Sequence, residues 1–149
     1  MKMTKQEVKE EWKQLEGDSQ VKARLKQMGR AMLRKKMVAA VPTADVVITN
    51  PTHYSIAIKY KQGEDNAPVV VAKGVDFLAL KIRELAKVNN IEIVEDPPLA
   101  RTLYKVVEVD QEVPEVLFRA VAQVLAYVFS LRSGKFVNYR KTDIDESEF

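Results

Sequence analysis

Val46-Val47-Ile48-Thr49-Asn50-Pro51-Thr52-His53-Tyr54-Ser55-Ile56-Ala57-Ile58-Lys59-Tyr60 decides the reading of this chain. Val46-Val47-Ile48 is a short apolar run, as a buried strand requires. Tyr54, Ile56, Ile58 and Tyr60 alternate with Ser55, Ala57, Lys59 and Lys61, which is the period of a strand. Between these two strands lie Asn50, Pro51, Thr52 and His53. Asn-Pro is a common turn dipeptide, so the plain reading of these four residues is a turn. Pro51 also excludes Asn50 as a glycosylation acceptor.

The pattern extends outward on both sides. Gly63-Glu64-Asp65-Asn66 reads as a turn, and Val69-Val70-Val71 as a third strand broken by Gly74. Asp76 is placed to cap a helix whose inner face carries Leu78, Ile82 and Leu85, and Asn89-Asn90 ends it. Ile91 to Glu95 gives a fourth strand. Pro97, after Asp96, opens a short helix through Tyr104. Pro114 opens a long helix to Leu131, stopped by Gly134. Upstream, residues 4–40 read as helix, with Val8, Trp12 and Leu15 on one face and Val21, Leu25, Met28 and Met32 on another. Gly17-Asp18-Ser19 is expected to interrupt it, with Asp18 or Ser19 capping the second piece, and Pro42 to end it. The expected fold is α/β: a small mixed sheet of about four strands surrounded by helices, preceded by a basic N-terminal helical arm. The division is residues 1–43 as arm, 44–131 as globular body and 132–149 as a flexible acidic tail.

Composition narrows the function classes. Of 149 residues, 46% are hydrophobic and 30% charged, with net charge +3, which fits a folded soluble domain rather than a disordered chain. Residues 1–36 hold eleven Lys/Arg against five Asp/Glu, and the remainder thirteen against sixteen, so the basic character belongs to the arm. Such an arm suits nucleic acid, an acidic membrane surface or an acidic partner, or is a solvated helical linker. No Cys is present, which removes disulfides, thiol nucleophiles and thiolate metal sites, and one His argues against a His-based metal cluster. No Ser/His/Asp set or phosphate-binding glycine loop is evident; Lys73-Gly74 has no P-loop around it. A turnover enzyme is therefore not expected, and no cofactor or metal is. The N-terminus lacks a signal-peptide apolar region, and the apolar stretch from Val113 to Leu131 is interrupted by Pro114, Glu115, Arg119 and Gln123.

Asn50-Pro51 carries chemistry that a turn alone does not. Asn ordinarily deamidates when the following backbone nitrogen attacks its side-chain carbonyl; Pro51 has no N–H. What remains is the reverse attack. The Asn50 side-chain nitrogen adds to the Asn50 backbone carbonyl, a succinimide forms and the bond to Pro51 breaks. An amide nitrogen is a poor nucleophile, so a tight turn must hold it close to the carbonyl carbon. Backbone N–H groups of the turn are the expected donors to the tetrahedral intermediate. Thr52 is placed to hydrogen-bond locally and fix the turn. Two readings of His53 stand side by side: a proton relay to the departing Pro51 nitrogen, or an exposed turn residue.

These residues also carry a resemblance. Asn50-Pro51-Thr52-His53 followed by Tyr54-Ser55-Ile56-Ala57-Ile58-Lys59-Tyr60 resembles the self-cleaving motif of the FlhB/YscU family, the export-switch proteins of type III secretion. The likeness continues in Val71-Ala72-Lys73-Gly74-Val75-Asp76-Phe77-Leu78-Ala79-Leu80-Lys81-Ile82 and in Glu95-Asp96-Pro97-Pro98-Leu99-Ala100-Arg101-Thr102-Leu103-Tyr104. Tyr54 and the Lys73–Phe77 stretch resemble the flagellar branch rather than the injectisome branch. The resemblance implies an upstream membrane domain, with this chain the cytoplasmic domain of a bacterial inner-membrane protein and its first Met added. It implies Asn50 as the attacking residue and Pro51 as the leaving side, in one intramolecular turnover. The cut then permits a switch of export substrates from rod and hook to filament proteins. The implied partners are export-gate membrane proteins, the hook-length control protein and exported rod, hook and filament subunits, with no nucleic acid. The alternative is a basic nucleic-acid- or membrane-surface-binding module; the arm's single aromatic, Trp12, and the lack of a nucleic-acid motif disfavour the first of these.

A partner surface is the last expectation. The helix from Pro114 to Leu131 is apolar nearly all round, whereas a surface helix needs one stripe. Ala122 and Leu125 share a face at spacing three, and Ala67-Pro68 is a small apolar element beside a turn. Together they form a shallow apolar site for exported subunits, or Ala122 and Leu125 are core and Ala67-Pro68 only a turn.

Overall fold

Strand β1 (Val46–Asn50) is buried along nearly its whole length, as its unbroken apolar run requires of a strand covered on both faces. In the computed structural model, which describes residues 5–135 and 138–149, β1 pairs antiparallel with β2 (Tyr54–Lys59) and parallel with β4 (Glu92–Glu95). Strand β3 (Val69–Val75) pairs antiparallel with β2, giving the order β3-β2-β1-β4. The sheet is mixed and four-stranded, as expected. Helix α2 (Asp76–Val88) carries the chain from β3 at one edge to β4 at the other.

Alternating side chains of β1 and β2 feed two cores. Val46, Ile48, Ile56 and Ile58 pack with Leu99 and Leu103 of α3 (Pro97–Val106) and Leu117, Val121, Val124 and Val128 of α4 (Glu115–Arg132). Val47 and Ala57 face the other way, against Ile82 and Ala86 of α2 and against Met37, Val41 and Ala44. The register slips between Ala57 and Ile58: Ala57 pairs with Ala72 and Ile58 with Val70, so Val71 is an extra residue and joins Ala72 on the second face.

Several expectations are corrected. The N-terminal helix α1 runs unbroken from Lys5 to Ala40 through Gly17-Asp18-Ser19, and Thr4 lies outside the described residues. One glycine in a helix interior costs about 1 kcal/mol, too little to break a long helix. Gly74 lies within β3, and a Cβ there would sit 2.6 Å from Leu78 Cγ. It is a close-approach glycine, not a breaker. Asp76 makes no capping hydrogen bond; it is the first residue of α2, at φ 48°, behind Val75. The chain resolves into two compact units, Met1–Lys36 and Met37–Phe149. Met37, Val41 and Ala44 are core residues of the second, so the body begins before residue 44.

The tail is not loose over its described part. The Asp96 carboxylate, fully buried, accepts hydrogen bonds from the Tyr139 hydroxyl at 2.6 Å and from the Thr142 N–H and hydroxyl at 2.9 Å each. Its other oxygen accepts the Leu99 N–H at 3.3 Å, capping α3. Glu146 pairs with Arg101, and Lys105 donates to the backbone oxygen of Phe149. Acidic composition suggested solvation, but the tail's partners lie on α3.

Candidate functional site

The turn joining β1 to β2 is short because Asn50 still pairs with Tyr54 across the hairpin. That leaves Pro51, Thr52 and His53 to reverse the chain, and the His53 N–H donates to the Asn50 carbonyl oxygen at 3.0 Å. This oxygen belongs to the carbonyl that an attack by the Asn50 side chain would convert to an oxyanion. Of the turn's backbone N–H groups, it is His53's own amide that meets this oxygen. No hydrogen bond among the described residues occupies the Asn50 side-chain amide.

Each side of the turn is pinned. The Thr49 hydroxyl donates to Tyr54 O at 2.8 Å, and the Asp96 N–H donates to Thr49 O at 3.0 Å. The Asp76 N–H donates to His53 O at 3.0 Å, tying the turn to the strained first residue of α2. Tyr54 packs against Tyr104 with ring centroids 4.9 Å apart and the rings tilted by 43°. Scaffold residues Thr49, Asp76 and Asp96 were not singled out as site residues from sequence; the Asp96-Pro97 cap signal marked only a helix start.

Asn50 and Pro51 are half-buried; Thr52 and His53 are exposed. The Thr52 hydroxyl lies 2.6 Å from His53 Nδ1, the local contact expected of Thr52. This contact occupies one ring nitrogen of His53 and leaves Nε2 toward solvent.

The residues considered for partner binding divide. Pro68, Ala122 and Leu125 line one shallow groove of about 290 Å³ with Phe118 and Phe129. Ala122 is exposed, while Leu125 is 4% exposed and also belongs to the core. Ala67, two residues before β3, is 2% exposed and is not part of the lining, because it is buried.

The fold and the site together define a small α/β domain: a mixed four-stranded sheet with helices on both faces and an Asn-Pro-Thr-His hairpin turn. Residues 1–128 match the FlhB HrpN YscU SpaS Family, and the chain belongs to that family. Relatives that it matches at about half identity are flagellar. It is 52% identical over 132 residues to the flagellar biosynthetic protein FlhB of Bacillus subtilis strain 168, covering 89% of this chain and 37% of that protein. FlhB of Escherichia coli K12 is 49% identical over 132 residues, with 89% and 35% covered. The chain thus spans about a third of the length of these relatives. The cytoplasmic domain of FlhB from Shewanella putrefaciens superposes with TM-score 0.69 at 49% identity, covering 73% of this chain and 88% of that one. An EscU C-terminal domain with an Asn-to-Ala substitution superposes with TM-score 0.60 at 37% identity, covering 62% and 92%. A further EscU structure carries a Pro-to-Ala substitution at the next residue. Among the described residues, no helix is long and apolar enough to cross a membrane.

Proposed function

We propose that this chain is the self-cleaving cytoplasmic domain of a flagellar export component in a bacterial inner membrane, cut once between Asn50 and Pro51. The observation that carries the reading is the His53 N–H set on the Asn50 carbonyl oxygen at 3.0 Å. Asn50 Nδ2 attacks the Asn50 carbonyl carbon and gives up a proton. The electron pair moves to the carbonyl oxygen, where the His53 amide stabilises it. Collapse expels the Pro51 nitrogen, which takes up a proton, and Asn50 is left as a C-terminal succinimide that water opens. The step happens once per chain, so this is self-processing and not turnover. Crystal structures of EscU variants altered at adjacent Asn and Pro residues support attention to this dipeptide.

Cleavage frees the Pro51–His53 segment while β1 and β2 stay paired, and that freedom permits the switch from rod and hook to filament substrates. Export-gate membrane proteins, the hook-length control protein and exported subunits are the partners this role requires. The groove at Pro68, Ala122 and Leu125 is the docking site for exported subunits, with Ala67 supporting it from beneath. The arm favours a second activity. From residue 19 to 36 it holds seven Lys/Arg and no acid, around exposed Val21, Leu25, Met28 and Met32, which suits an anionic membrane surface better than nucleic acid. The deciding experiment is mass spectrometry of freshly purified protein under denaturing conditions. Fragments 1–50 and 51–149 are expected; intact chain alone after long incubation at neutral pH sinks the proposal.

A further inference from the structure

An adjacent face of α4 borders a second groove, of about 740 Å³, which shares Ala126 with the first and whose other wall is the C-terminal segment. Val116, Ala120 and Tyr127 of α4 and Ile144 of the segment give it an apolar lining. Three cations stand around that lining: Arg119 on α4, and Arg140 and Lys141 on the segment. None of the three has an ion-pair partner among the described residues, and Asp143 is the only carboxylate in the lining.

The second wall is fixed rather than trailing. Tyr139 and Thr142, on either side of Arg140-Lys141, both donate to the buried Asp96 carboxylate, and the Tyr139 ring rests 5.3 Å from that of Tyr127. Unpaired cations held across a part-apolar groove attract a ligand that is anionic and part-apolar at once. A bilayer surface cannot enter a concave groove, and a nucleic acid presents phosphates without the aliphatic surface this lining would bury. We infer that the groove binds an acidic, part-apolar peptide segment of a protein partner. This is independent of the cut at Asn50.

The test is fluorescence anisotropy on the full chain with a labelled Glu-rich peptide carrying Leu at helical spacing. Saturable binding that weakens with added salt is expected, and Arg119→Glu and Arg140→Glu should each weaken it about tenfold, or 1.4 kcal/mol. Val88→Asp, at the exposed end of α2, should leave it unchanged. Arg119→Gln and Arg140→Gln, read beside melting temperature, separate lost binding from lost folding. Undiminished binding by the charge-reversed variants overturns the inference, as does equal binding of a Lys-for-Glu peptide. So does Arg119-dependent binding of phosphatidylglycerol vesicles without any peptide binding.

Discussion

The amide and the imidazole of His53 have separate roles at the turn, and different substitutions remove them. Replacing the Thr52–His53 amide by an ester deletes the N–H on the Asn50 carbonyl oxygen and keeps the side chain. Self-cleavage followed by mass spectrometry should then slow about a hundredfold to a thousandfold, the usual effect of losing one oxyanion donor. His53→Ala should slow it by about tenfold or less, below the range for a general acid, because the ring is exposed and water can deliver the proton. A loss with His53→Ala as large as with the ester would restore the relay reading. Asn50→Ala should stay whole, and Asn50→Asp nearly so, since a carboxylate oxygen in place of the amide nitrogen leads to an anhydride. Pro51→Ala should slow the cut by restoring a competing N–H. At this scale the sequence supplies the proposed nucleophile and leaving residue, whose covalent structures decide what chemistry they can do. It offered Asp76 only as a helix cap and was silent on Thr49; the contribution of both is position and comes from pairing with other segments.

At the scale of elements, the glycine in β3 and the tail latch each make a measurable demand. Gly74→Ala should destabilise by about 1–3 kcal/mol in urea denaturation, because its Cβ would meet Leu78 Cγ at 2.6 Å and Leu78 backbone carbon at 3.0 Å. Asp96→Ala should cost about 3 kcal/mol, since it removes the cap of α3 and orphans three donors from the tail. Burial first, and then the hydrogen bond and charge of Asp96, raise the Tyr139 phenol above its ordinary value. The folded protein therefore holds that proton more tightly than the unfolded chain does. The latch is at full strength below about pH 10 and weakens as pH climbs beyond it. Tyr139→Phe should flatten the alkaline limb of a stability–pH curve; an unchanged limb would mean the phenol titrates freely. Strands β1 and β2 were legible because burial on two faces writes an apolar run or a clean alternation. Gly17 misled because one interior glycine costs a long helix too little to break it, and Gly74 because the close approach of Leu78, four residues on, demands a glycine there. The acidic tail misled because its anchors, Asp96 and Arg101, lie some forty residues upstream.

At the scale of the molecule, the unit boundary at Met37 makes a truncation test. A chain starting at Met37 keeps Met37, Val41 and Ala44, and its melting temperature should match that of the full chain. A chain starting at Asp45 loses Val41, which is fully buried, and should melt lower by several degrees; about 2–4 °C per kcal/mol is the scale for a domain near this size. Equal melting of the two would place the boundary at the 3₁₀ turn of Val41–Thr43 instead. After cleavage, the two pieces should co-elute in plain buffer, because the first contributes β1 and the second the strands on both its sides, with core residues from each. Separation on a sizing column would count against it. The sheet and its helices were readable from periodicity; that the second core recruits the end of α1 was not, since Met37 stands in a run of cations.

Strand β1 is interior to the sheet, with β2 on one side and β4 on the other. The chain enters it from the arm and, once the bond after Asn50 is broken, ends with it. A pull along the arm is then borne by hydrogen bonds on both flanks of β1, loaded side by side in shear rather than peeled one at a time. With the proposed cut made, the strand becomes a tension-bearing rivet, able to pass force from whatever holds the arm into the sheet while the loop beside it is free to swing.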